Sequence, residues 1–276
     1  MMDIGKYHTL RILRETGSGL YLGNTDGQEV LLPGKYVPEA FAIGDELVVF
    51  VYKDNENRLI ATTLQPRILL HQFAFLPVKS VTEQGAFLDW GIEKDLFVPF
   101  REQPRKMAEG RSYLVYMYVD EKTDRLVASA DLRRFLRNDP LTVAEGAEVD
   151  IIIGESTDLG VNVIINHLHK GLIYYNELFV KINMGDSRRG YIKKIREGNK
   201  IDVTLQKPGY EGIEPNADKI RAVLQARGGF LPLTDKSNPV EIIRQLEMSK
   251  KTFKKAVGLL YKQKIIRIAD NGIYLI

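Results

Sequence analysis

The 276-residue sequence predicts a multidomain chain: three all-β barrels of the five-stranded OB-fold type, then an α+β winged helix-turn-helix domain. Three observations predict it. A pattern of residues recurs three times at near-constant spacing, each copy reads as short strands separated by turn residues, and the C-terminal segment switches to a helical period.

The first copy, 1–65, and the second, 66–140, keep register over five blocks. Gly19-Leu20-Tyr21-Leu22 matches Gly85-Ala86-Phe87-Leu88, Leu31-Leu32-Pro33 matches Phe97-Val98-Pro99, Gly44 matches Gly110 and Asp54 matches Asp120, all at an offset of 66. Residues 58–62 then match 125–129 at 67, one residue having entered the turn between. The third copy, 141–208, lies 75 further on: Gly160-Val161-Asn162-Val163 stands at 85–88, Leu172-Ile173-Tyr174-Tyr175 at 97–100, Gly185 at 110, and 200–204 at 125–129. Within a copy, Leu47-Val48-Val49-Phe50-Val51-Tyr52, the polar 53–57 and the apolar resumption at 58–63 read as strand, turn and strand. About five strands in so short a unit suit a closed barrel, because closure leaves no unpaired edge.

In the last domain, 214–276, residues 217–227 form a helix with Ile220, Val223 and Leu224 on one face, stopped by Gly228-Gly229. A second helix, 240–246, follows Pro239. Ser249 is the expected N-cap of a third, running to about Gln263 with Phe253, Val257, Leu260 and Tyr261 apolar. Residues 265–269 and 273–276 around Asp270-Asn271-Gly272 predict a hairpin. Three helices and a hairpin in that order make a winged helix.

With 44% hydrophobic and 27% charged residues the composition is that of a folded chain, which excludes whole-chain disorder. Cysteine is absent, so no disulfide framework, thiolate metal site or thiol nucleophile exists. Met1-Met2-Asp3-Ile4-Gly5-Lys6 lacks the basic start and apolar run of a signal peptide, and no apolar run approaches the roughly 18 residues of a membrane span. A soluble protein of the cytoplasm is expected, with no membrane partner. The net charge of +3 is unevenly spread: 214–276 holds 12 Lys and Arg against 6 Asp and Glu, whereas 1–65 holds 6 against 9. The C-terminal domain therefore carries the positive field that attracts phosphate backbones.

The run Val81-Thr82-Glu83-Gln84-Gly85-Ala86-Phe87-Leu88-Asp89 resembles the S1-type RNA-binding domain, and Gly171-Leu172-Ile173-Tyr174-Tyr175-Asn176-Glu177-Leu178 resembles another part of the same pattern. Three such units before a basic winged helix resemble the conserved virulence factor B family of bacterial RNA-binding regulators, over essentially the whole chain. The resemblance implies single-stranded RNA binding, a regulatory role in gene expression and no catalysis. It places the family's surface aromatic at Phe87 and Tyr21, with Asn162 in the third unit. Ser18, Gln84 and Leu159 stand where a second aromatic is usual. The family's histidine position falls at Val98 and Tyr174, and its Asp and Arg at Asp54 and Arg58, then Asp120 and Arg125, with Ile195 and Lys200 in the third unit.

Aromatics on such barrels stack bases while basic groups follow the backbone. Strand alternation puts Phe87 and Asp89 on one face and Leu88 and Trp90 on the other; parity with the family pattern implies that Phe87 is outside and Trp90 inside. Phe97 reads as core and Val98 as outward. Phe87 is either a binding platform or a contact with a neighbouring domain. In the third unit, Tyr174 with Arg188, Arg189, Lys193 and Lys194 offers an aromatic beside basic groups, the alternative being a solvated charged hairpin. Lys250, Lys251, Lys254 and Lys255 recur at i, i+4 with no acid between them, a pattern that favours phosphate contact.

His167-Leu168-His169 has no third ligand nearby and reads as a turn between strands. Gly17-Ser18-Gly19 lacks the Gly-Lys-Ser/Thr of a phosphate loop. No catalytic residue, metal ligand or cofactor is assigned. The partner expected is single-stranded RNA, held across the barrels and by the winged helix. Two rival readings stay open: a scaffold that contacts ribosome or RNA polymerase, and a transcription factor on duplex DNA, ranked behind RNA.

Overall fold

Each repeat closes into a five-stranded barrel in the computed structural model, which describes residues 2–207 and 213–276. The first barrel comprises β1 (Lys6–Thr16), β2 (Gly19–Gly23), β3 (Glu29–Pro33), β4 (Glu46–Lys53) and β5 (Leu59–Thr62). The second comprises β6 (Phe73–Val81), β7 (Gly85–Leu88), β8 (Leu96–Pro99), β9 (Ser112–Asp120) and β10 (Arg125–Ser129). The third comprises β11 (Glu148–Ser156), β12 (Gly160–Ile165), β13 (His169–Tyr174), β14 (Ser187–Arg196) and β15 (Lys200–Thr204). All three share one topology. In the first barrel β1-β2-β3 form a meander, β5 joins β3 in parallel, and β4 pairs with both β5 and β1 to close the sheet.

The repeated glycine that opens the second strand has a steric cause. A Cβ on Gly19, Gly85 or Gly160 would lie 2.1, 2.3 or 2.1 Å from the carbonyl oxygen of Leu32, Val98 or Ile173. The third strand runs so close that only glycine fits. Beyond it, alternation sends Leu20 and Leu22, Ala86 and Leu88, and Val161 and Val163 into the three cores.

β4 is buried on both faces from Val49 to Tyr52. Val49 and Val51 fill the first barrel, whereas Phe50 and Tyr52 pack with Ile68 and Trp90 in the core of the second. Phe50 and Trp90 meet edge to face, with centroids 5.6 Å apart. Trp90 is inside, as its parity predicted. Polar contacts seal the junction: the Lys94 ammonium donates to the Lys53 and Asp54 carbonyls at 2.8 and 2.9 Å, and the Leu70 amide to the Gly5 carbonyl at 2.8 Å. Burial, reinforced by nearby Arg125, lowers the Lys94 pKa; Asp54 opposes the shift. The segment around the expected 65/66 limit is therefore packed, with Ile68 buried and the Arg67 amide bonded to the Trp90 carbonyl at 2.7 Å. Two compact units result, Met1–Arg137 and Asn138–Ile276. The expected limit at 208–214 falls largely outside the described residues.

The C-terminal domain contains α1 (Ile213–Ala226), β16 (Phe230–Leu231), α2 (Pro239–Leu246), α3 (Lys250–Lys262), β17 (Ile266–Ala269) and β18 (Gly272–Leu275). The Val240 amide donates to the Asn238 side chain, capping α2, and the Thr252 amide donates to Ser249, capping α3 at 3.0 Å. Ile220, Leu224, Ile242, Leu246, Phe253 and Leu260 form the core. Tyr261, grouped with the apolar face by period, is instead exposed. β16, too short to leave a periodic signal, adds a third strand beside β18. Among the described residues no helix is long and apolar enough to cross a membrane.

Candidate nucleic-acid interface

Phe87 lies between buried Ala86 and Leu88 and is turned outward. Its antiparallel partner on β8 is Phe97, with ring centroids 5.0 Å apart. This corrects the expectation for β8: Val98 is fully buried and Phe97 is the outward residue. Cross-strand partners share a face, so Leu88 facing the core brings Leu96 with it and turns Phe97 out. Gly85 pairs with Pro99 just as Gly160 pairs with Tyr174, so the place equivalent to Tyr174 is Pro99 and not Val98.

Tyr21 and Tyr174 are half-exposed on the corresponding faces of the first and third barrels, each beside an arginine. The Arg14 guanidinium lies 4.2 Å from the Tyr21 centroid, and that of Arg196 lies 5.1 Å from the Tyr174 centroid. Neither arginine was anticipated, because each reaches its ring from another strand. Asn162, across from Leu172, leaves the third barrel without a counterpart to Phe87.

The other basic candidates divide by how firmly they are already held. Arg58 donates twice to Asp54, at 2.9 and 2.7 Å, and pairs with Glu56, locking the β4–β5 turn. Arg125 reaches across to the first barrel, to Asn57 at 3.4 Å and the Asn55 carbonyl at 3.2 Å. Arg188 and Arg189 lie near Asp186 and Asp150, and Lys193 pairs with Glu177 at 2.5 Å. Lys194 and Lys200 are exposed and make no ion pair among the described residues. β15 lies between β13 and β14, and of the basic residues on β14 it is Arg196 that reaches the Tyr174 ring.

Below the second barrel's outer face, buried Glu102 accepts from Arg134 at 2.6 Å. Burial alone would raise its pKa, but hydrogen bonds from Arg134, Ser129 and Tyr118 outweigh that and hold it below the usual carboxylate value. Burial, helped by the bond to Glu102, pushes the Tyr118 phenol up to about 12.

Lys251, Lys254 and Lys255 are exposed along α3, whereas Lys250 is half-buried and donates to the Ser237 carbonyl at 2.9 Å. The nearest acid to Lys254, Asp235 at 3.8 Å, comes from the loop before α2 and not from the helix itself. In the wing, Arg267 lies 3.9 Å from the Tyr274 centroid. His167 stands in a turn with φ +54° and His169 is buried against Thr142, while no group of three His, Cys, Asp or Glu among the described residues is placed to hold a metal.

Tandem OB-type barrels with outward aromatics, followed by a winged helix with a basic third helix, define a protein built from nucleic-acid-binding domains. Residues 4–64 and 72–131 match the S1 domain family, and residues 218–275 match the CvfB-like winged helix domain. The chain is 24% identical to conserved virulence factor B of Staphylococcus saprophyticus, an alignment covering 99% of this chain and 94% of that protein. It is 27% identical to the YitL protein of Bacillus subtilis over 95% of this chain and 90% of that one. A crystallised multidomain protein with nucleic acid binding domains from Streptococcus pneumoniae is 25% identical, with 99% and 98% coverage and a TM-score of 0.44. The chain thus carries two S1-family domains and a CvfB-like winged helix domain, and it is similar to conserved virulence factor B over nearly its whole length.

Proposed function

We propose that this chain is a non-enzymatic regulator that binds single-stranded RNA in the bacterial cytoplasm and acts after transcription. The observation that carries the reading is the outward pair Phe87 and Phe97, two half-buried rings side by side on the outer wall of the second barrel. Unpaired bases stack on such rings regardless of sequence, while bases inside a duplex are already stacked and present no free face. The exposed lysines of α3 supply phosphate contacts that are likewise blind to sequence. Residues already committed to ion pairs, Arg58 above all, contribute chiefly by holding turns in place.

Photocrosslinking tests this reading. The full chain is irradiated with single-stranded RNA carrying 5-iodouridine, and the attached peptides are identified by mass spectrometry. Adducts within 85–99 and on α3 are expected. Adducts confined to α3 and the wing, obtained equally with duplex DNA, would favour the transcription-factor reading instead.

A further inference from the structure

Phe100 and Tyr175 occupy the same place in two barrels. Gly85 pairs with Pro99 and Gly160 with Tyr174, so each aromatic is the next residue out, where the third strand turns into a short 3-10 turn. Both rings are large and both face water, at 39% and 48% exposure. A single exposed aromatic needs no explanation. Two at one topological position, each at the start of the turn that follows the third strand, form a pattern.

The setting of Tyr175 shows what the position suits. Its hydroxyl donates to the Thr157 carbonyl at 2.8 Å, so the ring is held at its tip while much of it stays in solvent. The neighbouring backbone is fixed as well, because the Tyr175 amide donates to the Leu159 carbonyl at 3.4 Å, and the Leu159 side chain is 65% exposed. A ring restrained in this way loses little freedom when a flat partner settles on it. The polar tip is already satisfied, so what remains on offer is apolar surface. That suits the face of a nucleobase, which every base presents alike.

The first barrel has no counterpart. Gly34 stands at this position, and a Cβ there would meet only the Ser18 carbonyl oxygen, at 4.0 Å. There is room for a side chain, yet the site has no ring, in the one barrel whose acids clearly outnumber its bases.

We propose that Phe100 and Tyr175 each stack one further unpaired base, one on the second barrel and one on the third. The inference rests on the single-stranded RNA reading above and adds two sites to it.

The test uses the full chain and labelled single-stranded oligouridine, followed by fluorescence anisotropy. Phe100→Leu and Tyr175→Leu keep apolar volume but remove the ring, and melting temperatures check that the fold survives. Each should weaken binding by about 5- to 150-fold, the value of one base–aromatic stack. Tyr175→Phe, which keeps the ring, should bind within about threefold of the parent, a loss of no more than about 0.7 kcal/mol. The gap between parent and leucine variants should close on an oligonucleotide whose bases are replaced by abasic sites. Leucine variants that melt normally and bind like the parent would overturn the inference while leaving the RNA reading intact. A parent chain that binds no single strand would overturn both.

Discussion

Phe87 and Phe97 stand side by side on the outer wall of the second barrel, centroids 5.0 Å apart, because Gly85 lets β8 approach close enough to fix their register. The pair presents one surface made from two strands. Phe87→Ala should weaken single-stranded RNA binding by about 1–3 kcal/mol. It should cost only about 0.5–1.5 kcal/mol of stability, since the ring is half-buried on the outer wall beside Phe97 and not in the core. The double variant with Phe97→Ala should lose less than the sum of the two singles, as expected for residues in contact. Anisotropy titration and thermal melting measure both quantities. A steep fall in melting temperature for Phe87→Ala would place the ring in the core and refute this register.

Gly85 itself is the next expectation. Alanine there would put a methyl group 2.3 Å from the Val98 carbonyl oxygen at a φ of +156°. Shifting β8 should cost about 2–4 kcal/mol, combining overpacking with backbone strain. Chemical denaturation of Gly85→Ala should show that loss, and RNA affinity should fall with it because the platform is displaced. An alanine variant as stable as the parent would show that β8 moves freely.

Glu102 predicts a pH effect. Its carboxyl is held below its unfolded value by Arg134, Ser129 and Tyr118, so the ionised form contributes stability at neutral pH. That contribution is fully present above the unfolded pKa, near 4.5, and disappears as pH falls through the lower folded value. Glu102→Gln should be less stable by about 1–2 kcal/mol at pH 7, allowing for the half-exposed Arg134. The difference should shrink steadily below about pH 4.5. Melting both proteins between pH 3 and 7 decides it: a constant gap would mean that the loss is one of packing and not of charge.

The lysines of α3 are tested by salt. Each phosphate neutralised on a single strand contributes about −0.7 to the slope of log K against log salt. Lys251, Lys254 and Lys255 are the lysines exposed along α3, whereas Lys250 is half-buried, so the informative variant replaces those three with Gln. If two or three of them touch phosphate, the slope should become shallower by roughly 1.4–2.1, with affinity reduced for every RNA sequence alike. An unchanged slope would mean that these lysines serve solvation or a protein contact.

Much of the architecture was legible because its constraints are local. The strand-2 glycines repeat since a carbonyl oxygen occupies the space of their Cβ, and the helix cap Ser249 bonds within a few residues of itself. What was misread depends on pairing. β8 is four residues long with apolar side chains on both faces, so its own sequence cannot say whether Phe97 or Val98 is buried; only registration with β7 does. The apolar run 47–52 is an unused signal, for a strand with no polar face is covered on both sides, here by Trp90 and its neighbours. Basic residues were visible as candidates. Their neutralising partners were not, since Glu177 approaches Lys193, and Asp150 approaches Arg189, only once the third barrel has closed.

Single-stranded RNA recognition is tested most directly by titrating the full chain with three ligands of matched length and sequence: single-stranded RNA, single-stranded DNA and duplex DNA, at one fixed salt concentration. Rings that stack unpaired bases and lysines that follow a flexible backbone predict tight binding of the single-stranded RNA and at least tenfold weaker binding of the duplex, a difference of about 1.4 kcal/mol or more. Preference for duplex DNA would contradict the account in favour of groove recognition by α3, and absence of binding to all three would contradict it in favour of a protein-contact role.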